Sequence, residues 1–331
     1  MPELSRILAT LTEAPGEPAA LATLVRVEGS SYRRPGARLL VMPSGLRVGS
    51  ISGGCLEDDV VLRAQRVLAS GRPETAIYDT TSENDHVWGV GLGCQGVVHI
   101  FIERLPAVRP PWIKTVGENL RARRATELAI VHGGGGLIGT FLAGELPVGT
   151  APASVYRQAI TAPPALAIFG AGEDARPLVR LAKEVGWHVT VVDSRPAYAT
   201  TDRFPKADAV IAAPAIEATR SLATDRSGYA VIMTHRYADD LQLLRQLLPH
   251  PLSYLGLLGP RKRTDRLLAQ LRTERFVPDE TMLARLHAPI GLDLGGNTPE
   301  TVALAILAEM QCRLATREPI HLRDRATPIH G

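Results

Sequence analysis

A chain of 331 residues, 45% hydrophobic and 21% charged, has the composition of a globular protein and is long enough for two domains, each with its own core. Its 37 basic and 34 acidic side chains leave a net charge of only +3, which predicts no nucleic-acid or membrane surface. Cys55, Cys94 and Cys312 form no CxxC pair, which argues against a disulfide scaffold or structural zinc, and no leader or membrane-length apolar run is evident, so a cytoplasmic location is expected.

Residues 3–14 read as a short helix, stopped by Pro15, Gly16 and Pro18. A strand is expected over 21–27, and two more over 37–51 about the turn Pro43, Ser44, Gly45. Leu56, Val60, Ala64 and Val67 mark one face of a helix running to about Ser70 and capped by Gly71; strands follow at 75–78 and 97–102. This mixture predicts an α+β domain over 1–150. Within it, 112–124 looks helical, and strands at 128–131 and 137–142 flank HGGGG (132–136), a hairpin turn that needs no ligand although its glycines could cradle one. The Pro/Ala/Thr stretch 147–164 reads as the linker into a second domain, 165–315, which a tail, 316–331, follows.

The second domain opens with ALAIFGAGEDARPLVRLAKEVGWHVTVVDSRP (165–196): a buried strand, the turn Gly170-x-Gly172, a helix with apolar positions at Ala175, Leu178, Val179, Ala182 and Val185, and a second strand. Asp193 closes that strand where a dinucleotide fold places the acid that bonds ribose. Strands at 209–213, 230–234 and 254–258 and helices at 238–248 and 261–274 continue the alternation, which ends in a helix from Pro299 to about Leu314 with Thr298 as N-cap. The expected fold is therefore α/β: an N-terminal α+β domain followed by a Rossmann-like, doubly wound parallel-sheet domain. Glu173 and Asp174 suit a helix start but lie where a pyrophosphate would sit, so the glycine turn is either an anion site or one filled by its own side chains.

Five stretches could carry chemistry. GSSYRRPGARLLV presents Arg33 and Arg34 on a shaped loop, either to an anion or to solvent. GSISGGCLEDDV uses Gly53 and Gly54 to turn into a helix with Cys55 at its start, where a thiol is a better nucleophile or ligand than in a core. In GVGLGCQGVV, glycines including Gly93 surround Cys94, which implies close backbone approach by a ligand or a strand. LGPRKR places Arg261, Lys262 and Arg263 at a helix start on the same sheet edge as Gly170, better suited to a phosphate than the acidic turn. GLDLGGNTPE is a further glycine loop entering a helix.

As an ordered set these motifs, with VIMTHRYADDLQLL and APIGLDLGGNTPETVALAILAE, closely resemble the XdhC/CoxI family over residues 20–105 and 165–310. The resemblance implies an accessory chaperone that binds molybdenum cofactor (molybdopterin, as mono- or dinucleotide) and supports its sulfuration with a cysteine desulfurase. It further implies insertion of the cofactor into an apo molybdenum hydroxylase of the xanthine, aldehyde or carbon monoxide dehydrogenase type, and a homodimer. Under it, Gly53, Gly54, Cys55, Glu57, Gly93 and Cys94 are cofactor contacts, the two cysteines as molybdenum or sulfur contacts, with Arg33, Arg34, Gly170, Gly172, Asp193 and Arg261–Arg263 as further binding residues. Glu173 stands where the family usually has histidine, and Gln95 and Gly96 where it continues with two glycines. Two other readings stay open: an NAD(P)-dependent oxidoreductase and a nucleotide-binding module without chemistry.

Overall fold

The computed structural model describes residues 2–79, 96–134, 136–214, 217, 219 and 228–326. The chain divides into two units, Met1–Ala162 and Pro163–Gly331.

The first unit is built on an antiparallel sheet of order β3-β2-β1-β5-β4, with β1 at Ala19–Gly29, β2 at Arg38–Val41, β3 at Arg47–Gly49, β4 at Glu74–Asp79 and β5 at Gly96–Leu105. Strand β1 runs longer than its apolar core implies because it is buried on both faces. Ala20, Ala22 and Leu24 pack on helix α2 (Glu57–Ser70) through Val60, Val61, Ala64 and Val67, while Ala19, Leu21 and Val25 pack on helices α1 (Pro2–Glu13) and α3 (Pro111–Arg121). Gly71 closes α2 in the left-handed conformation, φ 71°, as a C-terminal glycine should. A second sheet has the order β7-β6-β8, with β6 at Thr126–Val131, β7 at Gly139–Leu142 and β8 at Val155–Ile160. Residues 147–164, expected to connect two domains, therefore contribute a strand to the first unit: β8 pairs antiparallel with β6 from Thr126↔Ile160 to Val131↔Val155. The prolines on either side of β8 mask its alternating pattern in the sequence.

The second unit holds a parallel sheet of order β11-β10-β9-β12-β13-β14, with β9 at Ala165–Phe169, β10 at His188–Asp193, β11 at Ala209–Ala212, β12 at Gly228–Ile232, β13 at Tyr254–Leu257 and β14 at Leu286–His287. Numbered from β9, this is the 3-2-1-4-5-6 order of a doubly wound dinucleotide-type fold. Leu166 and Ile168 face helices α4 (Ala175–Glu184) and α8 (Pro299–Leu314). Ala167 and Phe169 face α5 (Tyr237–Leu247) and α6 (Arg261–Thr273), so each face of the sheet is covered. The short helix α7 (Glu280–Leu283) and β14 carry too few residues to show a period, so the sequence does not announce them. Thr298 caps α8 in a reciprocal box with Thr301.

Candidate functional site

In the first unit the chain leaves β3 and turns into α2 through residues 50–56, and a single carboxylate shapes that turn. Glu57 Oε1 accepts hydrogen bonds from Ser50 Oγ at 2.9 Å, Ile51 N at 3.2 Å and Ser52 N at 2.8 Å, and Oε2 accepts from Ser52 Oγ. Ser52 Oγ in turn accepts from the amides of Gly54 and Leu56, each at 3.2 Å, and the Cys55 thiol lies 3.4 Å from it. Partial burial opposes the charge on Glu57, but the bonds from Ser52 and Ser50 outweigh it and hold this carboxyl below the usual range. Gly54 adopts φ 116°, a conformation closed to residues with a side chain. Cys55 is exposed at the outer end of the loop, two residues before the first helical residue, and Glu57, Asp58 and Asp59 occupy the first turn.

One other motif meets this loop. The Tyr32 ring, 65% exposed, lies against Gly53, where a Cβ would stand 3.7 Å from it. Gly96 is the Cα partner of Gly29, and a side chain there would overlap the Ser30 carbonyl. The last glycine of GLGCQG thus enters the sheet beside the first residues of GSSYRRPG, by close approach of a strand. Gly93 and Cys94 lie outside the described residues. Arg33 donates to Glu3 Oε2 at 2.7 Å, so its charge ties the loop to α1. Arg34 has an exposed side chain. Arg38, in the same motif and not among the residues expected to act, is 2% exposed and holds the loop through the Gly36 carbonyl at 3.1 Å. Burial lowers its pKa against the opposing fields of Tyr156, Glu103 and Glu3. Its position in a run of otherwise apolar residues, ARLLV, was the available signal.

The arrangement suits a soft, polar-edged ligand. An exposed thiol stands beside exposed glycines, and among the described residues the amides of Gly53 and Cys55 have no acceptor. These features fit the donor needs of a sulfur-ligated molybdenum group. No cluster of three or more His, Cys, Asp or Glu side chains placed to hold a bare metal ion occurs among the described residues.

In the second unit, Gly170 (φ 117°) ends β9, and a side chain there would overlap the Met233 carbonyl; Gly172 faces open space. The sequence expectation for Asp193 meets a competitor. Its Oδ1 accepts from Arg195 N and Nε, both at 2.9 Å, and its Oδ2 from Ala171 N and Arg195 Nη2, both at 2.8 Å. These four bonds fill the acceptor positions of a carboxylate and leave none for a ribose hydroxyl. They also outweigh the desolvation of Asp193 and hold its pKa low. Glu173 is neutralised by Arg203 at 2.7 Å and Arg176 at 3.0 Å, and Asp174 lies 3.1 Å from His235. The acids of the glycine turn are thus paired with basic side chains of the chain itself.

Arg261, Lys262 and Arg263 do not form one anion site. Arg261 and Lys262 are exposed, whereas Arg263 is bound to the buried Asp240, which also accepts from Thr234 Oγ1. A buried carboxylate requires a partner, and this accounts for Arg263 in the first turn of α6 despite its dipole. The cavity at this sheet edge, about 100 Å³, is lined instead by Arg195 and Arg236 among its cations.

Comparison with known proteins gives a consistent result. The XdhC and CoxI family model matches residues 13–79 and the XdhC Rossmann domain model residues 166–310. A protein of Bacillus subtilis (strain 168) described as a probable xanthine dehydrogenase subunit is 35% identical over 317 residues, which span 89% of this chain and 92% of that protein. The molybdenum cofactor insertion chaperone PaoD of Escherichia coli (strain K12) is 24% identical over 298 residues, 89% of this chain and 83% of that one. A solved structure described as a xanthine dehydrogenase from Bacillus halodurans superposes with a TM-score of 0.80 at 30% identity, covering 98% of each chain.

Proposed function

The chain belongs to the XdhC and CoxI family, and on that footing we propose that it is an accessory protein that holds molybdenum cofactor during its maturation and passes it to an apo molybdenum hydroxylase of the xanthine dehydrogenase type. The observation that carries this reading is the loop of Cys55: an exposed thiol on a turn that Glu57 and Ser52 fix, with Tyr32 at its side. A carrier must grip a reactive group firmly enough to shield it and loosely enough to release it. Fixed backbone with a small number of exposed donors meets both demands, because little ordering entropy is lost when the group binds.

In this reading the Cys55 thiol and the amides of Gly53 and Cys55 contact the cofactor, and Tyr32 packs on one side of it. The bound group would supply a soft, sulfur-ligated metal; the protein supplies donors and exclusion of water. By the family resemblance, Gly93 and Cys94 are further cofactor contacts in this proposal. Sulfuration by a cysteine desulfurase, a cytoplasmic location and a homodimer belong to the same proposal. The relative named as a molybdenum cofactor insertion chaperone supports the cofactor-handling part of it.

The test is retention of the cofactor. The protein isolated from cells that make molybdenum cofactor should yield fluorescent pterin oxidation products in near-stoichiometric amount. A protein that carries none, although its partner hydroxylase is active in the same cells, would refute the proposal.

A further inference from the structure

The cavity of about 100 Å³ in the second unit opens at the C-terminal ends of β9, β10 and β12, the edge where open parallel sheets bind ligands. Its walls are apolar at Phe169, Val192 and Leu243, and its polar groups include Arg195 and Arg236. Asp193 also lines it but is saturated, so a ribose diol finds no acceptor on that carboxylate, the one a dinucleotide fold uses for it; the remaining acid of the lining, Asp239, is paired with Arg236. Arg195 is different. Its Nε and one Nη2 hydrogen go to Asp193, and its plane is fixed over the Tyr198 ring, 3.9 Å from the centroid. The Nη1 hydrogens and the second Nη2 hydrogen meet no acceptor among the described residues. Arg236 makes one ion pair, with Asp239 at 3.2 Å.

A guanidinium held rigid by one carboxylate, with its remaining donors free, is prepared for the two oxygens of a phosphate. The space is small beside the roughly 300–1,000 Å³ of a site that encloses a whole small-molecule ligand, so it can take one end of a nucleotide only.

We propose that this cavity receives the phosphorylated end of a nucleotide, with a ribose phosphomonoester on Arg195 and Arg236 and the apolar wall behind it, and that it discriminates against the same nucleoside with a free diol. The site does not depend on the molybdenum cofactor reading, and its ligand serves as a second, separately bound molecule. The phosphomonoester could come from the 2′-phosphate of NADP or from a free mononucleotide.

Calorimetric titration of the full chain with NADP+, NAD+, adenosine 2′,5′-bisphosphate, 5′-AMP and inorganic phosphate separates these sources. NADP+ or the bisphosphate should bind at least about tenfold more tightly than NAD+, as one charge-assisted contact implies. Tighter binding of 5′-AMP than of NADP+ would assign the site to mononucleotides. Arg236→Gln, at a side chain 57% exposed, should lower affinity for the phosphorylated ligand about tenfold without changing the melting temperature. Arg195→Ala should abolish the preference and, by releasing Asp193, improve binding of NAD+. Equal affinities for NADP+ and NAD+, inorganic phosphate binding as tightly as the nucleotides, or an Arg236→Gln protein of unchanged selectivity would each overturn the proposal.

Discussion

Glu57 is the residue on which the Cys55 loop depends, because its two oxygens gather donors from Ser50, Ile51 and Ser52. Glu57→Gln keeps the size but turns one acceptor oxygen into a donor facing donors. It should cost about 1–3 kcal/mol in a denaturant titration and lower pterin retention. Cys55→Ala should lower retention with the melting temperature unchanged, whereas Cys312→Ala, on the half-buried side of α8, should do neither. If Cys55→Ala mainly lowers the melting temperature and the folded protein still carries cofactor, the thiol is structural. Glu57, Asp59, Glu173, Asp193, Asp279 and Glu309 have carboxyls held below the usual range. A depressed folded pKa contributes stability above the unfolded value of about 4 and loses it as pH falls through the folded value. Glu103, pushed up by burial and only partly relieved by Thr140 and Arg38, has the opposite sign: its contribution is present below the unfolded value and lost as pH rises through the folded one. With six groups against one, urea midpoints should fall steeply below about pH 4, and midpoints equal at pH 7 and pH 3 would contradict this assignment.

At the scale of the element, the two glycines of the Rossmann turn have different reasons to be there. Gly170 takes a positive φ and lies against the end of β12, so Gly170→Ala should destabilise the second unit by about 1–3 kcal/mol from the backbone alone, with the overlap in addition. Gly172 has open space in place of a side chain, so Gly172→Ala should stay within about 0.5 kcal/mol; a melting series of the two variants checks the contrast. At the start of α6, Arg263→Ala strips the buried Asp240 of its cation and should cost on the order of 3 kcal/mol. Arg261→Ala and Lys262→Ala, both exposed, should be nearly silent in the same experiment. The sequence showed three cations entering a helix but not the acid beneath one of them, since Asp240 lies 23 positions away and its burial depends on how α5 and α6 pack.

For the whole molecule, hydride transfer is a poor use of this architecture. His235 at the end of β12 is 59% exposed and paired with Asp174, and catalysis on a nicotinamide needs an acid or base held beside the ring. Purified protein given NADH or NADPH with candidate carbonyl substrates should show no turnover; oxidation at ordinary enzymatic rates, abolished in Gly170→Ala, would reverse that view. The sequence by itself determined the Rossmann unit, the α+β mixture before it and the cap at Thr298, because these rest on local periods, glycine turns and short-range hydrogen bonds that can be counted along the chain. It also exposed the glycine–cysteine motifs, since their composition is abnormal for a core. Only the tertiary structure decided that β8 belongs to the first unit, that Arg33 answers Glu3, that Glu57 builds the loop under Cys55 and that Arg195 fills Asp193. The reason is common to all four. A strand between prolines, or a charge on a loop, has many possible partners in sequence, and distance, burial and the number of acceptor positions on each oxygen select among them once the chain is folded.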